Sequence, residues 1–110
     1  MRALGRVADL SAASVVGELR RSFTSVTAAA GSFGVRAFRD PQSLVITGEF
    51  KHHDALALLR RGVTAVHLSH YASERPVLAA LCARIRRRVP GASLRVARAD
   101  RNPFTPIQQS

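Results

Sequence analysis

The stretch LVITGEFKHHDALALLRRGVTAVHLSHYASERPVL, Leu44 to Leu78, decides the fold. Leu44-Val45-Ile46-Thr47 is a continuous β-prone run, the pattern of a strand covered on both faces. Gly48 ends it. A helix then begins at His53 or Asp54 and runs to Arg61. Ala55, Leu56, Leu58 and Leu59 supply its apolar positions, Arg60 and Arg61 lie at the negative end of its dipole, and Gly62 stops it. Val63 to Leu68 reads as a second strand. Two strands joined by one helix form a right-handed βαβ unit with parallel strands. Glu49 follows the carboxyl end of the first strand and His70 that of the second. Both therefore emerge at one edge of the sheet, where open α/β folds place their ligands.

Downstream, Ser73 is placed to cap a helix with Pro76 in its first turn. Leu78, Leu81, Cys82, Ile85 and Val89 form one apolar stripe, and Arg84, Arg86, Arg87 and Arg88 fall on the other faces. Pro90-Gly91 ends this helix. Leu94 and Val96 alternate with Arg95, which predicts a closing strand from Ser93 to Ala97. The polar tail DRNPFTPIQQS is expected to pack through Phe104. Upstream, Val15, Val16, Leu19 and Phe23 predict a helix capped by Ser11 or Ser14, with Gly17 inside it. Ser25 to Ala30 reads as a short strand. GSFG, residues 31–34, is a loop whose small residues bring backbone N–H groups close to an anion or simply make a turn. The expected fold class is α/β: a single small βαβαβ-type domain over residues 1–110, its sheet flanked by helices. Its core is 44–98, with residues 1–43 as support and 99–110 as tail.

A chain of 110 residues with 46% hydrophobic side chains and 5% aromatics makes one small domain whose core rests on Ala, Val and Leu. The formal net charge is +10, and Lys51 is the only lysine. Such a charge attracts nucleic-acid phosphates, or else reflects arginines on solvated helix faces. Aromatic platforms for stacking bases are missing. The single cysteine, Cys82, excludes an intrachain disulfide and a cysteine-rich zinc site, and its place on the apolar stripe predicts core packing. No segment reads as a signal peptide or a membrane span, so a soluble cytoplasmic protein is expected.

The residues able to carry chemistry sit in two groups. His70 and Glu74, four apart in HYASE, share one helix face and offer nitrogen and oxygen donors suited to Mn, Fe, Zn or Co. The same pair also reads as a solvated histidine and a helix-start glutamate. Glu49, His52, His53 and Asp54 cluster in GEFKHHD as ligands, ligand-orienting groups or general bases, or as helix capping and surface histidines. His67, inside an apolar run, reads as a hydrogen-bonded buried or edge-strand histidine. Tyr71 could line a pocket. No Walker loop, dinucleotide fingerprint or Ser-His-Asp spacing is present.

At these residues the chain resembles the Nif-three-like family, described also as dinuclear metal centre proteins and as homologues of a type 2 GTP cyclohydrolase. TGEFKHHDAL (Thr47–Leu56), SHYASERPVL (Ser69–Leu78) and DRNPF (Asp100–Phe104) carry the resemblance, and a weaker similarity reaches back through GSFG to GRVADL. It implies that the chain corresponds to the C-terminal part, one half, of a protein with two α/β domains and a pair of metal ions between them. Such proteins are often assembled as a ring-shaped hexamer. The family's H-x3-E element maps onto His70 and Glu74 as metal ligands. Its GE-x2-HHD element makes Glu49, His52 and His53 candidates for supporting the ligands or contacting substrate. The family's other ligands, a His-His pair and an Asp, belong to an N-terminal portion not found in this sequence. Ser69 stands where many members have Gly.

The expectation is a metal-binding domain that contributes part of a dinuclear site built on divalent ions. Its activity would be metal-dependent hydrolysis of a nucleotide or phosphate ester. Its expected partners are further copies of itself or the missing N-terminal half. The alternatives are a non-catalytic basic module for nucleic acid or a protein, and a truncated inactive fragment.

Overall fold

The computed structural model describes residues 1–107. In chain order its elements are α1 (Arg2–Gly5), β1 (Ser14–Val16), β2 (Ser25–Ser32), a 3-10 turn (Val35–Ala37), β3 (Ser43–Glu49), α2 (His52–Arg60), β4 (Thr64–His67) and α3 (His70–Arg88). The strands form one mixed sheet in the order β1-β4-β3-β2. β2, β3 and β4 run parallel, with Leu44 opposite Thr64 and Thr47 opposite His67. β1 lies antiparallel to β4, pairing Ser14 with His67 and Val16 with Ala65.

The run Leu44–Leu68 behaves as its pattern predicts: strand, helix, parallel strand. β3 is apolar without alternation because both of its faces are covered. On one face Val45, Val63 and Ala65 pack with Leu58 of α2 and with Val35 and Phe38 around the 3-10 turn. On the other, Val66, Leu68 and Ala72 pack with Leu4, Leu19, Leu44 and Ile46. Asp54 accepts a hydrogen bond from the Lys51 N–H at 3.3 Å, closing the start of α2. At the other end Arg61 donates to the carbonyls of Val35 and Phe38 at 2.8 and 3.3 Å, tying the 3-10 turn onto the helix.

Several expectations fail, each for a tertiary reason. The helix predicted up to Phe23 is absent. Ser14–Val16 forms β1, because the β-branched pair Val15-Val16 gains more by joining the edge of β4 than by starting an isolated helical turn. α3 begins at His70 rather than after Ser73; Ser69 accepts from the Ala72 N–H at 3.2 Å, so Pro76 lies within the helix. The apolar stripe of α3 is not a core face. Only its first turns lie over β2 and β3, and Val77, Leu81 and Val89 are at least half exposed. Cys82 is accordingly half-buried rather than a core residue. Finally, residues 93–97 form no strand. They return along α3 instead, with Arg86 donating to the Leu94 carbonyl, and Phe104 stays exposed. Among the described residues no helix is long and apolar enough to cross a membrane.

The contrast between the two helices is measurable by urea unfolding. Leu58→Ala empties a fully buried position and lowers stability by about 2–5 kcal/mol. Leu81→Ala, at a half-exposed position of the predicted stripe, changes it by less than about 1 kcal/mol.

Candidate metal centre

The hydrogen-bond ladder between β3 and β4 runs beyond the strands themselves. Leu68 donates to the Thr47 carbonyl at 2.9 Å and Ser69 donates to the Gly48 carbonyl at 2.8 Å. The chain then turns at Ser69, with φ 95° and ψ 159°, straight into α3. This sets the first residue of α3 above the last residue of β3. His70 Nδ1 lies 2.8 Å from Glu49 Oε1, and His70 Nε2 lies 3.1 Å from Glu74 Oε1, one helical turn on. One imidazole is thus held between two carboxylates, and all three side chains are about half exposed.

This contact raises the His70 pKa above its ordinary value of 6.5. The hydrogen bond that His70 Nδ1–H donates to Glu49 is the largest cause, burial opposes it, and the Glu74 and Glu49 charges add to it.

Two glycines allow the approach. The end of β2 passes directly under the first turn of α3, where Gly31 donates to Ser73 Oγ at 2.8 Å. Ser73 Oγ in turn donates to the His70 carbonyl at 2.8 Å. A Cβ on Gly31 would lie 2.6 Å from Glu74 Oε1 and 3.5 Å from His70 Nε2, and its φ of +74° already favours glycine. A Cβ on Gly48 would fall on the Gly31 carbonyl. Sequence reasoning missed this role of Gly31, reading GSFG as a turn or anion loop. It also missed Ser73 as a link between β2 and α3, because the hydroxyl's partners depend on the placement of β2.

The structure does not bring the adjacent histidines into this group. His52 and His53 stand exposed on the first turn of α2, and the nearest carboxylate to His53 is Asp54, with Nε2 to Oδ1 at 3.5 Å. His67 sits half-buried in β4, an interior strand of the sheet, edge-on to the Phe50 ring at 5.0 Å between centroids. Tyr71 does line a cavity: its hydroxyl donates to the Asp100 carbonyl at 3.2 Å and receives the Arg75 Nε–H at 3.0 Å.

The donor set fits part of a metal site. Two donors bound to one ion at about 2.1 Å each stand roughly 3.0–3.4 Å apart for octahedral to tetrahedral angles. The 3.1 Å between His70 Nε2 and Glu74 Oε1 falls in that range. Glu49 on the opposite ring nitrogen is the carboxylate that commonly fixes a ligating imidazole. Among the described residues, however, no group of three or more His, Cys, Asp or Glu side chains is placed to share an ion.

The family model Duf34/NIF3 (NGG1p interacting factor 3) matches residues 2–103. The fold is similar to that of the Staphylococcus aureus hypothetical protein SA1388, with a TM-score of 0.68 and 21% identity over 90% of this chain and 35% of that one. It is also similar to a Bacillus cereus protein related to NIF3, with a TM-score of 0.61 and 18% identity over 90% of this chain and 29% of that one. The chain therefore spans about a third of the length of these structures. No curated protein matches the chain.

Two outcomes follow from the geometry. By NMR titration in chelator, His70 titrates above the ordinary histidine range, and Glu49→Gln brings it down. Since the folded pKa is the raised one, the stabilisation from this contact is complete below about pH 6.5 and is lost as pH climbs through the raised value. Ser69→Gly relieves a backbone conformation worth about 1–3 kcal/mol while losing a cap worth a few tenths. Urea unfolding then shows a gain of about 1 kcal/mol for Ser69→Gly and a loss of similar size for Ser69→Ala.

Proposed function

The chain belongs to the Duf34/NIF3 family, and on that premise we propose that it contributes two ligands, His70 and Glu74, to a divalent-metal site completed by donors from outside the residues described. The observation that carries this reading is the pair of donor atoms 3.1 Å apart, with the far ring nitrogen held by Glu49.

In this reading Glu49 fixes the ring orientation and keeps Nδ1 protonated, so that Nε2 presents its lone pair to the ion. Ser73 and Gly31 hold the first turn of α3 against the end of β2, which sets the distance between the two donors. Gly31 also leaves the space beside Glu74 Oε1 free of side-chain atoms. When bound, a Zn, Mn, Fe or Co ion would supply an activated water and polarise the bond under attack, the chemistry of metal-assisted hydrolysis of a nucleotide or phosphate ester. The remaining ligands come from another copy of the chain, as in a ring-shaped homo-oligomer, or from an N-terminal half. The limited share of the related structures that this chain spans supports a site divided in this way. His52 and His53, exposed on α2, are left for contact with substrate or with that second portion.

Calorimetric titration with Zn, Mn and Co tests the assignment. His70→Ala and Glu74→Ala abolish the binding seen with the unaltered chain, and Glu49→Gln weakens it about 10–100-fold. Unchanged affinity in both alanine variants would sink the proposal.

A further inference from the structure

The candidate metal centre uses the first turn of α3 and leaves the arginines at the far end of that helix without a role. Between Arg84 and Arg101 lie seven of the seventeen basic residues of the chain, and Asp100 is the only acid among them. Asp100 is already engaged, its Oδ2 lying 3.3 Å from Arg75 Nε. Arg86 donates to the Leu94 carbonyl and so ties the return segment to the helix. Arg84, Arg87, Arg88, Arg95, Arg98 and Arg101 are all exposed, and none of them forms an ion pair among the described residues.

Local structure accounts for only part of this charge. Arg86, Arg87 and Arg88 lie in the last turn of α3, where the helix dipole favours cations. Spacing, however, puts Arg84, Arg87 and Arg88 on one helix face, three and four residues apart, and like charges at those separations destabilise a helix. The return segment has no helix dipole, yet it adds Arg95, Arg98 and Arg101. The two stretches are neighbours: Arg84 and Arg88 line one shallow groove with Leu81 and Ile85, and Arg95 lines another with the same two residues.

Mutually repelling cations without acids are stabilised by an anionic partner. A second copy of the chain does not qualify, because it brings the same arginines and a net charge of +10. Guanidinium groups match phosphate oxygens with paired N–H bonds. A rise of about 1.5 Å per residue places Arg84 and Arg88 about 6 Å apart along α3, close to two phosphate steps of one duplex strand. Single strands are held by stacking on aromatic rings, and no aromatic residue occurs between Tyr71 and Phe104. The same absence removes the aromatic anchors of a helix that lies on a membrane surface. We propose that the arginine surface formed by the last turns of α3 and by residues 95–101 binds the phosphate backbone of double-stranded nucleic acid without selecting bases. This surface does not depend on the metal reading.

Fluorescence anisotropy of a labelled DNA duplex with the full chain, in chelator and over a series of salt concentrations, is the test. The duplex binds at low salt, and log affinity falls against log salt with a slope corresponding to about three to six phosphates. Arg84→Gln, Arg87→Gln and Arg88→Gln together reduce that slope by about three and weaken binding about tenfold or more at low salt. Gln keeps the helix propensity and removes the repulsion, so urea unfolding shows stability equal or raised. Arg36→Gln, Arg39→Gln and Arg60→Gln together remove the same charge from exposed positions by the 3-10 turn and α2, on the opposite side of the sheet. They change the affinity by less than about threefold. A duplex of unrelated sequence binds equally well. No binding at low salt, equal losses in the two triple variants, or binding to phosphatidylglycerol vesicles in place of the duplex overturns the proposal.

Discussion

The molecule depends on a hydrogen-bond ladder that does not stop where its strands stop. Strand pairing between β3 and β4 places Leu68 and Ser69 on the carbonyls of Thr47 and Gly48. The first turn of α3 has no freedom left after that. His70 must stand above Glu49, and Glu74 must stand one turn further along the same face. Ser69 takes up the change of direction with a positive φ, and the ladder and the helix together hold it there. Backbone strain at such a corner is tolerated when its surroundings over-determine it. The corner of this chain lies immediately before the candidate ligand histidine.

The same constraint explains the division within α3. Its first turns are pressed onto β2 and β3 through Ala72, Ser73 and the two close glycines. Beyond Pro76 the helix runs past the end of the sheet, and Leu81 and Val89 reach solvent. The return segment then covers part of the helix without entering the sheet. It is attached at Leu94 through Arg86 and at Asp100 through Arg75 and Tyr71. One helix therefore carries two neighbouring features: an imidazole between carboxylates on the face toward β3, and a guanidinium-carboxylate pair toward the returning tail.

Much of the central unit was legible in the residues. The unbroken apolar run of β3, the stop at Gly62 and the second β-prone run require nothing but local pattern, and β3, α2 and β4 appear where those patterns lie. Parallel pairing followed from the helix between them. From parallel pairing it also followed that Glu49 and His70 share a sheet edge. Val15-Val16 and Leu94–Val96 were less readable because short apolar stretches suit several partners. β1 exists because Val15-Val16 pairs with the edge of β4, and residues 93–97 form no strand but lie along α3, where Arg86 donates to the Leu94 carbonyl. His52 and His53 have the composition of ligands, but the first turn of α2 points them to solvent.

The sequence by itself determined the βαβ core and the edge at which ionisable groups collect, because these rest on spacing and periodicity along the chain, while its motifs carried the resemblance to the family. Tertiary structure alone decided which of those groups touch. The contact of Glu49 with His70 needs the register of β3 against β4. The space beside Glu74 needs a glycine on β2, 43 residues before it in the chain and brought there by pairing with β3. Distances of 2.8 and 3.1 Å between side chains on different elements are fixed by strand register and helix placement, and neither is a property of any local stretch of residues.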